Sequence, residues 1–321
     1  MKRLLLGACA AVFATLIALP ATAQNWPAKQ VKMIVPFAAG STPDIIARLI
    51  TDYMQNKLGQ PFVVENRAGA SGNTGTEAVA KAEPDGYTIG ISIGGPLAIN
   101  KILFGKLPYD PEKDLSLVTM LVTQPSALVV NSKLGVSNVK ELVDLIKANP
   151  GKYNFGSIGN GSLSHLAMEA IALQSGPMVH IPYPGSPAAV TAVMRNDVQM
   201  GCLPAISVTP QLGSGDIKLL AISTAKRSEL MPGVPTLKES GIDVEADAWT
   251  GLIAPANTPA DIIEKIRKEV TEAVTSPAVR EKLKMQLMEP IPTTPAEFRA
   301  RINADIARWT PVIKAANIKI N

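Results

Sequence analysis

The sequence predicts an α/β fold divided between two lobes, and three observations carry that expectation. Short β-prone runs alternate with segments of helical periodicity in both halves of the chain, the order that packs helices against a mainly parallel sheet. A long β-prone stretch, Leu115–Val130, interrupts the alternation and reads as a crossover from one lobe to the other. The third observation is length: 321 residues, less a leader of 23, leave 298, enough for two cores.

The first unit organises the rest. An apolar run from Val31 ends at Phe37, a small-residue loop follows through Ala38, Ala39, Gly40, Ser41 and Thr42, and Pro43-Asp44 open a helix. Ile45, Ile46, Leu49, Ile50 and Tyr53 recur at helical spacing, so this helix buries one face. Pro43 suits its first helical position, Thr42 or Ser41 can cap it, and Asp44 complements the helix dipole. Free amides at a helix N-terminus, with no bulky side chain in the way, make the loop either an anion seat or an ordinary capped start.

The next elements follow the same alternation. Gln60–Glu65 reads as a strand, Asn66–Gly75 as a loop of glycine and small polar residues, Thr76–Ala82 as a helix, Pro84-Asp85-Gly86 as a turn and Tyr87–Ile93 as a third strand. The crossover breaks at Gln124-Pro125, and Asn138–Ala148 is an amphipathic helix with Asn138 and Glu141 spaced as a capping box. The second lobe then shows strand Tyr153–Ser157, helix Leu163–Leu173, strand Met178–Tyr183, helix Pro187–Arg195, and strands Val198–Leu203 and Ile217–Ser223. Helices opening at Thr258-Pro259 and Thr294-Pro295 end the chain. Ser or Thr before Pro recurs there and at Ser186-Pro187 and Ser276-Pro277, which predicts a Ser or Thr cap with Pro at the first helical position.

The N-terminus points to export. Met1-Lys2-Arg3, the apolar run Leu4–Leu19 and Ala21-Thr22-Ala23 have the layout of a cleaved signal peptide spanning residues 1–23. No later run of 18 apolar residues occurs, so the mature chain is expected to be soluble. The sequence holds 31 Lys and Arg against 27 Asp and Glu, and losing Lys2 and Arg3 lowers its formal charge from +4 to +2. Its basic residues are not clustered among aromatics, which excludes a nucleic-acid partner. With Cys9 in the leader, Cys202 stands alone and no disulfide framework is expected.

Catalytic and cofactor patterns are missing. His165 and His180 are the only histidines, without an H-E-x-x-H or a Cys/His cluster, so no metal is expected. Gly69-Ala70-Ser71-Gly72 and Gly156-Ser157-Ile158-Gly159 both miss the spacing of a nucleophile elbow, so the chain is not expected to be an enzyme. Gly69–Gly75 also lacks the Lys of a phosphate loop and reads as a backbone turn. Gly159-Asn160-Gly161-Ser162-Leu163-Ser164 follows a strand and opens a helix, but Ser164 replaces the third glycine of a dinucleotide loop. No acid ends the strand that follows, at His180-Ile181-Pro182-Tyr183, so no cofactor is expected.

A second anion seat remains. Gly159, Asn160 and Gly161 let a ligand approach the backbone, and Ser162 caps the helix. Each seat follows the first strand of its own lobe, where open α/β sheets bind ligands. His165, one turn into the second helix beside Met168 and Glu169, either meets the ligand or is a structural histidine bonded within the lobe. Trp249 either lines a cleft wall or packs in a core.

Several stretches together resemble the periplasmic substrate-binding proteins of tripartite tricarboxylate transporters, the Bug family. They are Ile34–Asp44, Gly59–Gly75, Pro84–Thr88, Leu107–Asp114, Phe155–Leu166, His180–Ser186, Ala225–Thr236 and Ala248–Pro255, in family order along the whole mature chain. The resemblance implies a two-lobed Venus-flytrap fold of type II, each lobe a mixed, mainly parallel sheet flanked by helices. Residues 24–122 with 251–321 would form lobe 1 and 123–250 lobe 2, with the ligand cleft between them. It further implies a monomer in the periplasm that binds a small carboxylate and passes it to integral-membrane permease subunits; the alternative is a sensory protein presenting the same ligand to a membrane signalling partner.

Carried onto matching positions, the resemblance places ligand contacts at Phe37, Gly40, Ser41, Thr42 and Asp44 in lobe 1 and at Ser157, Asn160, Gly161, Ser162 and His165 in lobe 2, with Ser92, Gly94 and Gly95 after the third strand. Ser41 stands where relatives commonly have glycine and can add a hydroxyl. Where relatives often carry polar residues able to meet an amino group, this chain has Cys202-Leu203-Pro204-Ala205, so Leu203 and Pro204 are expected to favour a carboxylate with an apolar body over an amino acid.

Overall fold

A computed structural model describes residues 26–320, so the signal-peptide segment 1–23 lies outside the described residues. In chain order the strands are β1 (Val31–Val35), β2 (Phe62–Asn66), β3 (Thr88–Ile93), β4 (Leu115–Gln124), β5 (Ser126–Asn131), β6 (Asn154–Ser157), β7 (Val179–Pro182), β8 (Met200–Pro204), β9 (Ile217–Ile222), β10 (Ala248–Pro255) and β11 (Glu289–Pro290). The longer helices are α1 (Thr42–Leu58), α2 (Asn73–Ala80), α3 (Val139–Ala148), α4 (Leu163–Ser175), α5 (Ser186–Arg195), α6 (Ala260–Thr275), α7 (Pro277–Lys284) and α8 (Pro295–Ala315).

The strands form two sheets, ordered β11-β4-β10-β3-β1-β2 and β7-β6-β8-β5-β9. In the first, β1 runs parallel to both β2 and β3, with Met33 opposite Val64 and Ile89. In the second, β6 runs parallel to β7 and β8, with Phe155 opposite His180 and Met200. The remaining pairings are antiparallel: β10 lies between β3 and β4, and β5 between β8 and β9. Each sheet is therefore mixed, and its parallel part carries one of the two glycine loops.

The crossover divides at Pro125, whose missing N–H suits the break between two strands of different sheets. β4 stays in the first sheet through Gln124 and β5 begins the second at Ser126; the chain leaves the second sheet after Ile222 and rejoins the first at Ala248. The sequence pattern assigns no element to β10, because its interior is buried without alternation and so lacks the period-two signal of a half-buried strand. One apolar cluster continues across both sheets, joining Leu117, Met120 and Ile253 to Leu128, Val130 and Phe155. Helix α8 packs Phe298, Ile302 and Trp309 into it; a Cβ at Gly251 would overlap the Phe298 ring.

The helix starts depart from the expected device. Thr294 makes a full capping box with Glu297. Ser41 occupies the N-cap of α1 without a side-chain cap bond, since Pro43 at the second helical position removes one of the two amides a cap would take. Helix α5 is preceded by Gly185 and α6 by Pro259, so neither Ser186 nor Thr258 is the cap; the Thr258 hydroxyl donates to the Pro255 carbonyl instead.

Candidate functional site

A cavity of about 520 Å³ lies where the loops of the two sheets meet. Its volume is that of a small-molecule site.

The first wall is the loop between β1 and α1. Gly40 turns it in the left-handed region at φ 80°. Its amide donates to Asp44 Oδ2 at 2.8 Å, Arg48 Nε donates to the same oxygen at 2.9 Å, and Asn66 Nδ2 donates to Oδ1 at 2.9 Å and to the Phe37 carbonyl at 3.0 Å. Burial alone would raise the Asp44 pKa, yet these bonds from Arg48, Gly40 and Asn66 hold it below its ordinary value. Asp44 thus ties the loop from behind, while Phe37, Thr42 and Pro43 reach the cavity. The amides of Thr42 and Asp44 have no protein partner among the described residues.

The second wall is the loop between β6 and α4. Ser162 accepts the His165 amide at 3.3 Å as a true N-cap and donates to the Gly159 carbonyl at 2.7 Å. The Gly161 amide donates to His165 Nδ1 at 3.1 Å, and Ser157 Oγ takes the Gly159 amide at the same distance. Asn160, Gly161 and Ser162 face the cavity, and the amides of Asn160, Leu163 and Ser164 have no partner among the described residues. Such amides at the positive end of a 13-residue helix suit an anion. Gly161 also meets the other lobe: a Cβ there would come within 2.7 Å of Leu103 and Ile320.

Alternation along β3 sends Ile93 to the cavity and Ser92 the other way, where its hydroxyl meets Thr76 Oγ1 at 3.0 Å. Gly94 and Gly95 then line the wall, with the Trp249 ring close against Gly94. The loop read as a backbone turn also contributes: Ser71, in the left-handed region at φ 55°, faces the cavity and is held there by Asn100 donating to its carbonyl.

The remaining wall comes from residues the sequence reading leaves out. Glu245 and Asp247 precede β10, and α8 presents Arg301, Asp305, Arg308 and Trp309. Arg301 reaches Asp247 at 2.7 Å and Asp305 at 3.3 Å, while Arg308 reaches Asp305 at 3.0 Å and Glu245 at 3.3 Å. Burial raises the Asp305 pKa against the pull of Arg301, Trp249 and Arg308. Residues 301, 305 and 308 share one helix face, the signal by which the sequence could have shown them.

Of the expected contacts, Phe37, Thr42, Gly94, Gly95, Asn160, Gly161 and Ser162 line the cavity. Asp44, Ser92, Ser157 and His165 lie behind those loops and shape them, while Gly40 and Ser41, within the first loop, do not line the cavity. Leu203 is fully buried in the core of the second sheet and Pro204 precedes a single helical turn, so neither reaches the cavity. Trp249 is both wall and core: it lines the cavity while 3% exposed.

A family model described as "Tripartite tricarboxylate transporter family receptor" matches residues 46–318. The chain is 37% identical over 307 residues to Protein BugT of Bordetella pertussis, covering 95% of this chain and 94% of that protein. Among solved structures, a protein of R. palustris with adipate is 32% identical with a TM-score of 0.79, covering 92% of this chain and 99% of the other. MatC from Rhodopseudomonas palustris with bound malate is 31% identical with a TM-score of 0.73, covering 90% of this chain and 100% of the other.

Proposed function

We propose that this chain, which belongs to the tripartite tricarboxylate transporter receptor family, closes on a small mono- or dicarboxylate in the periplasm and delivers it to membrane permease subunits. Its fold is the two-lobed fold of periplasmic binding proteins. The observation that carries the reading is that two glycine loops at helix N-termini, one from each sheet, open on one cavity. A carboxylate there gains about 1.5–3 kcal/mol per charge-assisted hydrogen bond, with roughly 0.3–1 more from each helix dipole. Adipate and malate in the two related structures support that ligand class.

We assign the contacts to Thr42, Gly94, Gly95, Asn160, Gly161 and Ser162, with Phe37, Ile93 and Trp249 against the ligand's carbon skeleton. The carboxylates nearest the cavity are already paired, Glu245, Asp247 and Asp305 with Arg301 or Arg308 and Asp44 with Arg48. That pairing favours an acid without an amino group. Closure would turn the second sheet against the first about the strand junctions at Pro125 and before Ala248; the expected lobe 2 of residues 123–250 is thereby narrowed, since β4 through Gln124 and β10 from Ala248 pair in the first sheet.

Melting curves with a panel of mono- and dicarboxylates test the reading. A bound acid at about 100 times its Kd adds roughly 2.7 kcal/mol of stability, and a panel in which no carboxylate moves the midpoint overturns it.

A further inference from the structure

The rings of His165 on α4 and His180 on β7 stack 3.6 Å apart with 13° between their planes, and the Phe155 ring of β6 lies 5.0 Å from His180. Neither imidazole lines the cavity, and both brace the loop that does. His165 Nδ1 accepts the Gly161 amide, so its proton sits on Nε2, 3.4 Å from Glu169 Oε1. His180 Nε2 lies 2.6 Å from Ser157 Oγ, which holds the Gly159 amide. The pair therefore fixes two backbone amides of the second seat, Gly161 directly and Gly159 through Ser157.

We propose that His165 and His180 are positioning residues for this seat and that its affinity for an anion requires His165 to be unprotonated at Nδ1. A proton there would set an N–H against the Gly161 N–H at 3.1 Å. The loop would have to turn, and the amides of Asn160, Leu163 and Ser164 would lose their common aim. Protonation at Nδ1 therefore loosens the clamp.

The groups facing the pair support this sign. Glu169, on the same helix, places Oε1 3.4 Å from His165 Nε2. From β7 comes His180, whose pKa is pushed down to about 4 by burial first and by His165 second. β6 contributes Phe155 and Ser157, both uncharged; α8, α3 and β8, which also pack on α4, send neither ring a hydrogen bond or ion pair among the described residues, and the titratable group of β8 is the buried Cys202 thiol, pushed up to about 12.

The inference rests on the reading that this loop holds the ligand's carboxylate. Titration calorimetry with malate and adipate at about pH 8 and at about pH 5 tests the proposal. For the wild type we expect at least about fivefold weaker binding at the acid end, the effect of misaligning one or more hydrogen bonds. In His165→Asn, whose Oδ1 can take the Gly161 amide and does not titrate, only the change caused by the ligand's own protonation should remain. Equal slopes in the two proteins, or tighter wild-type binding in acid, overturn the proposal. Exchange protection of the Gly161 amide, measured without ligand, should fall with pH in the wild type alone. Unchanged wild-type protection also overturns the proposal, and because this arm needs no ligand it separates failure of the histidine pair from failure of the carboxylate reading.

Discussion

Trp249 donates its indole N–H to Asp305 Oδ2 at 2.6 Å, and the bond joins β10 to α8 across one wall of the cavity. Both residues are at most 3% exposed, and the Trp249 ring also meets Phe298 edge-on at 5.5 Å. The junction thus sits beside the strand through which the chain returns from the second sheet. Its charged side continues through Arg301 to Asp247, which accepts a bond from Thr123 near the end of β4. Both strands that connect the sheets end in one network.

Trp249→Phe keeps most of the apolar contact and removes the donor. Asp305 retains Arg301 and Arg308 but loses its shortest bond. We expect about 2–4 kcal/mol of destabilisation, combining a hydrogen bond to a charged group with a partial cavity. Urea unfolding measures it, and a midpoint equal to that of the wild type would show that the bond adds no stability.

The two glycine loops were legible because their signals are local. Gly40, Pro43 and Asp44 mark a turn and a helix start within a few residues, as do Gly159, Gly161 and Ser162. What the pattern could not show is which way a side chain points once strands pair: Ser92 turns to Thr76 and Leu203 into the core of its sheet, although both neighbour the expected site in sequence. Nor could it show the fourth wall. Glu245, Asp247, Arg301 and Arg308 lie far from either loop in sequence and meet it only through the antiparallel return of β10.

The carboxyl of Asp44 predicts a pH dependence. Its folded pKa lies below the ordinary 3.8, so its contribution is fully present above that value and is lost as pH falls through the folded pKa. Asp44→Asn should therefore be less stable by about 2 kcal/mol at neutral pH, for the weakened bonds to Arg48 and the Gly40 amide. The gap between wild type and variant should close in acid. Denaturant titrations at several pH values check this; a gap that widens in acid would contradict the role given to Asp44.

Ser41 carries a buried hydroxyl without a protein partner among the described residues. Removing it leaves nothing unsatisfied, so Ser41→Ala should melt at the wild-type temperature or slightly above, by up to about 1 kcal/mol of stability. A clear loss of stability would show that the hydroxyl has a partner after all.

Ser162→Asp tests the second seat most directly. Aspartate is as good an N-cap as serine, so its carboxylate can still accept the His165 amide and the fold should persist, as read by circular dichroism. The new charge also occupies the helix end that faces the cavity. A ligand carboxylate brought there meets a like charge, at a penalty of several kcal/mol, and affinity should drop by roughly a hundredfold or more. Calorimetry with whichever acid stabilises the wild type gives the measurement. Unchanged affinity in a folded variant would remove Ser162 and its helix from the binding surface.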